Sequence, residues 1–369
     1  MWLPILGLGT AVPEFEMQQD EAAEMAAAMC GADARSAKLA KALYSKAGVK
    51  TRRTVVPHQT AYEWINQDAT QVIEPTDGPT TEQRMAWYEM QAPPLAEASA
   101  RRALEDAGIE ADRITHLVTV TCTGFFAPGF DFHLFKSLGF KPTVERVQVG
   151  FMGCHGAMNG LKVARAIGLS DPDARILVCA TELCSLHYRF RWDPQFVMGN
   201  VLFADGSASV VLGGREEREW NLLSTGSCVL PDSADAMTWR IGDHGFVMTL
   251  DATVPDRIRS GLRPWIDQWL AKSGHSVAGV KSWAIHPGGP RIVSAAEEIL
   301  ELPKDATNVS REILSEYGNM SSPTALFILE RMRREGHAQP CVALGFGPGL
   351  AAEAALFGAP SHSGNGKSH

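Results

Sequence analysis

A cysteine set among glycines at the end of an apolar run is the arrangement in this chain most capable of covalent chemistry. In RVQVGFMGCHGAMNGLKVARAI, residues 146 to 167, a strand-like segment passes Gly150 and Gly153 and meets Cys154 where a small-residue helix begins. Small neighbours let backbone and substrate approach closely, and the positive end of a helix favours a thiolate. With a cationic partner, such placement lowers a thiol pKa from about 8.5 to roughly 3.5–7.5. The segment alone leaves a buried structural cysteine as the alternative. Cys30, Cys122, Cys179, Cys184, Cys228 and Cys341 have no comparable elbow, and most sit in apolar runs that suit a core role.

A thiol nucleophile needs an imidazole beside it, and the chain carries eleven histidines. His362 and His369 lie near the C-terminus, His133 and His275 in helix or loop contexts, and His155 follows Cys154 so closely that its ring leaves in another direction. His286 ends the strand-like run KSWAIH and is followed by PGGP, which exposes a strand-end side chain. In open α/β sheets, sites lie beyond the carboxyl ends of strands. A capping histidine is the bland alternative. In EYGNMSSPTALFIL, Asn319 lies between Gly318 and a helix starting near Ser322 or Pro323. It is either an ordinary cap or an amide whose NH2 faces a developing oxyanion.

The elements that must carry these residues follow from apolar periodicity. Helices are expected near 20–47, 94–107, 154–168, 256–271, 290–300 and 322–335, with a first buried strand at the N-terminus. Further buried strands are expected at 116–122, 175–181, 207–213, 281–286 and 340–347. Strands alternating with helices over the whole length predict α/β layers. Periodicity weakens at 214–243, which suits a seam. The halves are set at 1–225, carrying the cysteine, and 226–360, carrying histidine and asparagine, with an unstructured tail at 361–369. Residues 345–350, GFGPGL, read as a glycine-rich turn. Neither they nor Gly7 and Gly9 have dinucleotide or P-loop spacing, and no GxSxG or HExxH motif occurs.

A formal net charge of -8 argues against nucleic acid, whose binding draws on clustered Lys and Arg. A local basic cluster, Lys38, Lys41, Lys46, Lys50, Arg52 and Arg53, is either a solvated face or an anion-binding rim. The N-terminal apolar run is broken by Pro4, Gly7 and Gly9, so neither a signal peptide nor a membrane span is expected. Seven cysteines without a CxxC pair suit a reduced cytoplasmic chain with no metal site.

The ordered motifs GFMGCHGAMNG, LFADGSASVVLG, WAIHPGGPRIV, EYGNMSSPTALFIL and GFGPG resemble the type III polyketide synthases, the family of chalcone and stilbene synthases, over roughly residues 5 to 358. The resemblance implies a thiolase fold, five-layered αβαβα built from two similar halves, acting as a homodimer without a carrier protein, metal or organic cofactor. It implies that Cys154 holds the acyl group of an acyl-CoA starter. His286 and Asn319 would assist decarboxylative condensation with malonyl-CoA. It places Phe203 and Phe246 as gatekeepers and Cys122, Cys184, His187, Met237 and Ser321 along the elongation cavity. Lys46 falls at the coenzyme A entrance, where Leu39 and Ala42 replace two other basic positions of the family. His187 and Met237 are bulkier than the chalcone-forming pattern, which turns the expectation toward fatty acyl starters and pyrone or resorcinol products. The alternatives are an initiating 3-oxoacyl-[acyl-carrier-protein] synthase and a catalytically silent thiolase-fold binding protein.

Overall fold

The computed structural model describes residues 2–30, 33–57, 78–190, 192–193, 197–216 and 218–360. In the first half, β1 (Leu3–Ala11) is followed by a small ribbon of β2 (Phe15–Gln18) and β3 (Thr51–Thr54). Then come β4 (His116–Thr121), β5 (Glu145–Gly150), β6 (Arg175–Leu183) and β7 (Asp205–Gly213). The second half has β8 (Asn221–Val229), the hairpin of β9 (Met237–Gly242) and β10 (Gly245–Leu250), then β11 (Ser282–Ile285), β12 (Cys341–Gly347) and β13 (Ala351–Gly358). Nine of these strands hydrogen-bond in the order β11-β12-β13-β8-β1-β7-β6-β4-β5. Only two residue pairs, Leu3 with Leu222 and Pro4 with Asn221, join β1 to β8, so the array divides there into two sheets.

Strand direction repeats between the sheets. From β1 the order is antiparallel to β7, antiparallel to β6, then parallel to β4. From β8 it is antiparallel to β13, antiparallel to β12, then parallel to β11. This is the duplication that the sequence was too diverged to display.

Three helical layers enclose the two sheets. Apolar residues of helices Gly156–Ser170 and Pro323–Arg334, such as Leu161 and Ile328, share one core with Val178 of β6 and Phe357 of β13. Helices Val254–Lys272 and Pro290–Leu300 cover the outer face of the second sheet. Helices Thr81–Ala107 and Phe130–Leu138 cover that of the first. The result is the expected five-layered αβαβα thiolase fold. Gly7 and Gly9 serve this packing: a Cβ on either would lie 2.4 Å or less from the backbone of Ala103, so helix Thr81–Ala107 could not lie against β1.

Several expected boundaries move. The helix expected at 20–47 is two, Gln19–Ala28 and Ala34–Ser45, the second capped by Asp33, whose side chain accepts the Arg35 and Ser36 amides. The helix expected from 94 begins at Thr81, with a capping box between Thr80 and Gln83. Pro93 and Pro94 lie inside it and hid its first half. Residues 221–225 lie in β8, where Thr225 pairs with Ala355 of β13. The boundary set at 225 therefore cuts a strand, and the join between halves falls before Asn221. The strand at 340–347 runs on through Gly347 before a short turn at Pro348–Leu350. The tail at 361–369 lies outside the described residues.

Candidate active site

Cys154 and Asn319 occupy corresponding places in the two halves, each just before one of the two central helices. After β5, Phe151 and Gly153 adopt positive φ values of 60° and 73°, and a single 3-10 turn, Gly153–His155, presents the thiol. A left-handed conformation in a bulky residue such as Phe151 costs on the order of 1–3 kcal/mol, which the surrounding packing must hold in place. At Gly153 a Cβ would come within 2.5 Å of Pro348, so glycine is required there by both backbone and space.

His286 ends β11. Its N–H donates to Leu344 O (2.8 Å) and its carbonyl accepts from Gly288 N (3.0 Å), which fixes the backbone and turns the imidazole inward. The residue is 1% exposed, yet neither Nδ1 nor Nε2 has a hydrogen-bond partner. Buried polar groups are nearly always paired, so an orphaned imidazole marks a place prepared for another molecule. Asn319 forms a parallel bridge with Phe203, its N–H donating to Leu202 O (2.8 Å) and its O accepting from Ala204 N (3.0 Å). Its Oδ1 accepts from Ser321 N (2.8 Å), leaving the NH2 as the free end of the amide.

These three side chains line a small cavity with Leu202, Phe203, Met237, Met248, Ile292 and Phe346. Burial pushes the Cys154 thiol up to about 11, against hydrogen bonds from Ser321 and Asn319 that pull it down. Burial likewise pushes His286 down to about 3, helped by the neighbouring His155. Both shifts penalise a lone charge in this buried site, a penalty that a thiolate and an imidazolium formed together would offset. A neutral imidazole has one N–H and one lone pair, so it can take the thiol proton and also donate to an oxyanion.

The patterns of the N-terminal and C-terminal domains of chalcone and stilbene synthases match residues 3–216 and 221–359. The chain belongs to this family and is a type III polyketide synthase, hence an acyltransferase. It is 32% identical, over 96% of its length and 90% of the relative's, to the "Alpha-pyrone synthesis polyketide synthase-like Pks18" of Mycobacterium tuberculosis. It is also 32% identical, over 96% of its length and 92% of the relative's, to the "1,3,6,8-tetrahydroxynaphthalene synthase" of Streptomyces peucetius subsp. caesius. The crystal structure of PKS-I from the brown alga Ectocarpus siliculosus superposes with a TM-score of 0.89 at 30% identity, covering 97% of this chain and 98% of that one.

In the synthase, Cys122, Cys184, Met237 and Ser321 line a second small space beside Cys154, together with Phe203, Trp239 and Met248. Phe246 lines neither space. Its ring stacks on His187 at 4.2 Å, and Met248, two residues along the same face of β10, stands opposite Phe203 in its place. His187 is a wall element rather than a base. Its Nε2 donates to Thr123 O (2.7 Å) and its Nδ1 accepts from Phe246 N (2.9 Å), and burial drives its pKa down to about 3. Lys46 is exposed at the end of helix Ala34–Ser45 and makes no ion pair with the described residues. Lys41 is paired with Glu24 at 2.7 Å, so it is not spare for the same task.

Sequence reasoning missed Glu182, Trp239 and Met248, and set Arg52 in a basic cluster on a solvated face or anion-binding rim, whereas its side chain is buried. Glu182, 0% exposed, accepts at Oε2 from Cys122 N (2.9 Å) and Thr123 Oγ1 (2.7 Å), and at Oε1 from Ser322 Oγ (2.6 Å). It ties β4, β6 and the Asn319 turn together. Its signal was an acid inside the apolar run RILVCATEL. Met248 and Trp239 are register partners across the β9–β10 hairpin, so the alternation that puts Met237 inside puts them there too.

Arg52, also 0% exposed, donates to Asn200 O (2.6 Å), Val201 O (2.7 Å), Phe203 O (3.0 Å) and Tyr188 OH (3.1 Å). These carbonyls end helix Val197–Leu202, and the next residues carry both Phe203 and the Leu202 carbonyl that holds Asn319. Arg52→Leu leaves buried acceptors unpaired, at about 1–3 kcal/mol each. We expect thermal unfolding to show a Tm lower by roughly 5–10 °C, and kcat to fall with it; an unchanged Tm would remove Arg52 from this role.

Proposed function

We propose that the synthase loads a starter from an acyl-CoA onto Cys154 and extends it with malonyl-CoA, releasing a pyrone or resorcinol-type polyketide without metal or organic cofactor. The observation that carries this is a thiol, an orphaned imidazole and a free amide NH2 facing one buried cavity. His286 takes the thiol proton as sulfur attacks the thioester, and returns it to the departing coenzyme A thiol. Malonyl-CoA then binds with its thioester carbonyl toward Asn319 and His286. The apolar side chains of Phe203 and Met248 offer its carboxylate no donor, so charge is better placed on the enolate oxygen formed as carbon dioxide leaves. The enolate carbon attacks the acyl thioester and expels Cys154 as a thiolate, which takes up a proton from solvent by way of His286. Preorganised donors of this kind act on charge that develops only in the transition state. An α-pyrone closes when an enol oxygen of the chain attacks the terminal thioester carbonyl. The name of the mycobacterial relative supports that product class.

The homodimer belongs to the same proposal. Strand β5 forms one edge of the nine-stranded array, Val147 on it is 43% exposed, and Phe125 and Met152 beside it are each 38% exposed. An open strand edge flanked by apolar side chains suits pairing with a second copy about a two-fold axis. A cytoplasmic location is proposed from seven free thiols, which persist in reducing compartments. No helix among the described residues is long and apolar enough to cross a membrane.

The deciding experiment is mass spectrometry of products from malonyl-CoA with acetyl, medium-chain, long-chain and aromatic CoA thioesters, on protein whose mass is read by sedimentation. We expect pyrone or resorcinol products from a dimer. Turnover that requires a malonyl carrier protein would replace this reading with the carrier-dependent synthase, and inertness under both conditions would leave the silent binding protein.

A further inference from the structure

Each extension consumes a proton. The malonyl carboxylate leaves as carbon dioxide, the carbon left behind takes the acyl group from sulfur, and coenzyme A departs when the longer chain returns to Cys154. Malonyl-CoA and a proton thereby become carbon dioxide and a coenzyme A thiol for every extension. Loading of the starter is neutral by contrast, because the proton that His286 takes from the thiol is the one it returns. The extra proton of extension must reach His286 from outside. Yet His286 is 1% exposed, and neither ring nitrogen is bonded to a neighbour that leads outward.

A second imidazole lies beside it. His155 is 2% exposed, and its Nδ1 is 2.7 Å from Asn159 Oδ1. With Nδ1–H donating to that oxygen, the neutral ring keeps its lone pair at Nε2. The ring lies against β12 at two glycines. A Cβ on Gly347 would stand 2.5 Å from His155 Cδ2 and 2.8 Å from Nε2, so only glycine admits the ring there. A Cβ on Gly345 would stand 3.3 Å from the Cβ of His155 and 3.8 Å from that of His286, so Gly345 leaves a space of methyl size between the two histidines. On the neighbouring strand, Glu353 is the register partner of Gly345. Its Oε2 accepts from Ser227 Oγ (2.6 Å) and Lys162 Nζ (3.3 Å), and Lys162 donates to Ser227 Oγ as well. The side chain of Glu353 is 8% exposed and that of Lys162 43%, so this cluster is where the buried groups meet solvent. Burial lowers the pKa of His155, against the hydrogen bond to Asn159 and the Glu353 carboxylate, which raise it, and Lys162 lowers it further. A ring that holds a proton loosely passes it on.

We propose that His155, fed from the Lys162–Glu353 pair at the surface, is the relay that returns a proton to His286 after each condensation, with one water between the rings in the space over Gly345. The proton enters at the ion pair, is taken up at His155 Nε2 and passes to His286, from which the Cys154 thiolate receives it. His155 is then neutral again, and solvent restores the ion pair. This rests on the polyketide synthase activity proposed above and concerns extension alone. His155 touches no reacting atom and acts through His286.

The test times the two steps separately in wild type, His155→Gln and Gly345→Ala. Loading is followed as the intact mass of the acyl-enzyme formed from acetyl-CoA or dodecanoyl-CoA, and extension as product formed once malonyl-CoA is added. His155→Gln should slow extension about a hundredfold, the lower end of what a positioned acid contributes, and slow loading far less. Imidazole added to the buffer should restore extension in His155→Gln but not in His286→Gln, whose ring is also needed as an oxyanion donor. Gly345→Ala keeps both imidazoles and fills the space between them. It should reproduce the selective loss of extension, and it carries the test if His155→Gln does not fold. Equal losses of loading and extension, an extension rate unchanged by either variant, or a defect in His155→Gln that imidazole does not relieve would overturn the relay while leaving the activity standing. Absence of product from wild type with every thioester would instead overturn the activity, and this inference with it.

Discussion

Cys154→Ala should form no acyl-enzyme and make no polyketide, while retaining slow decarboxylation of malonyl-CoA. The first half follows from covalent logic: without sulfur there is nothing for the starter to be held on, and removal of a covalent nucleophile costs roughly a millionfold in other enzymes. The second half follows from the separation of roles. His286 and Asn319 are held by their own backbone bonds, to Leu344, Leu202 and Ala204, none of which involves Cys154. The enolate site therefore survives the substitution. Intact-mass spectrometry after incubation with acyl-CoA reads the first outcome, and conversion of malonyl-CoA to acetyl-CoA reads the second. An acyl adduct on another thiol, Cys122 or Cys184, would show that the nucleophile has been assigned to the wrong residue.

His286→Gln should lower kcat by about a hundred to a thousandfold, the cost of losing one preorganised oxyanion donor, and it should also change how Cys154 responds to pH. The thiol on its own is pushed up to about 11 by burial. A thiolate is therefore scarce at neutral pH unless its proton can pass to His286, giving a neutralised pair. Removing the imidazole leaves the thiol to its own pKa. Alkylation of Cys154 by iodoacetamide should then slow at pH 7 and rise only at distinctly more alkaline pH than in wild type. Equal alkylation profiles in the two proteins would mean that His286 does not accept the thiol proton, whatever the loss in kcat.

The residues proposed as catalytic stood out because their signals are local. A glycine-flanked cysteine, a histidine at a strand end before PGGP and an asparagine before a helix are each set by a few neighbouring residues. What was not legible depends on residues far apart in sequence. Glu182 looks like an error in a buried strand until Cys122, Thr123 and Ser322 supply its hydrogen bonds. Strand β8 was taken for part of a polar seam, because its Ser and Thr side chains make sense only beside partners such as Glu353, which accepts from Ser227 Oγ at 2.6 Å. Phe246 was placed at the cavity and belongs one alternation behind it, where it stacks on His187. A shift of that size along a strand changes which residue faces substrate, and periodicity alone did not fix it.

The middle helical layer has a consequence for how the chain unfolds. Helix Gly156–Ser170 comes from one half and helix Pro323–Arg334 from the other, yet both contribute to one apolar core with strands of both sheets. A half folded alone would leave one side of its own central helix open to water, so neither is a self-sufficient cooperative unit despite the repeat that relates them. Melting should therefore proceed as a single transition rather than as two, and the proposed catalytic constellation, drawn from both sides of that core, is complete only when the last of it has closed.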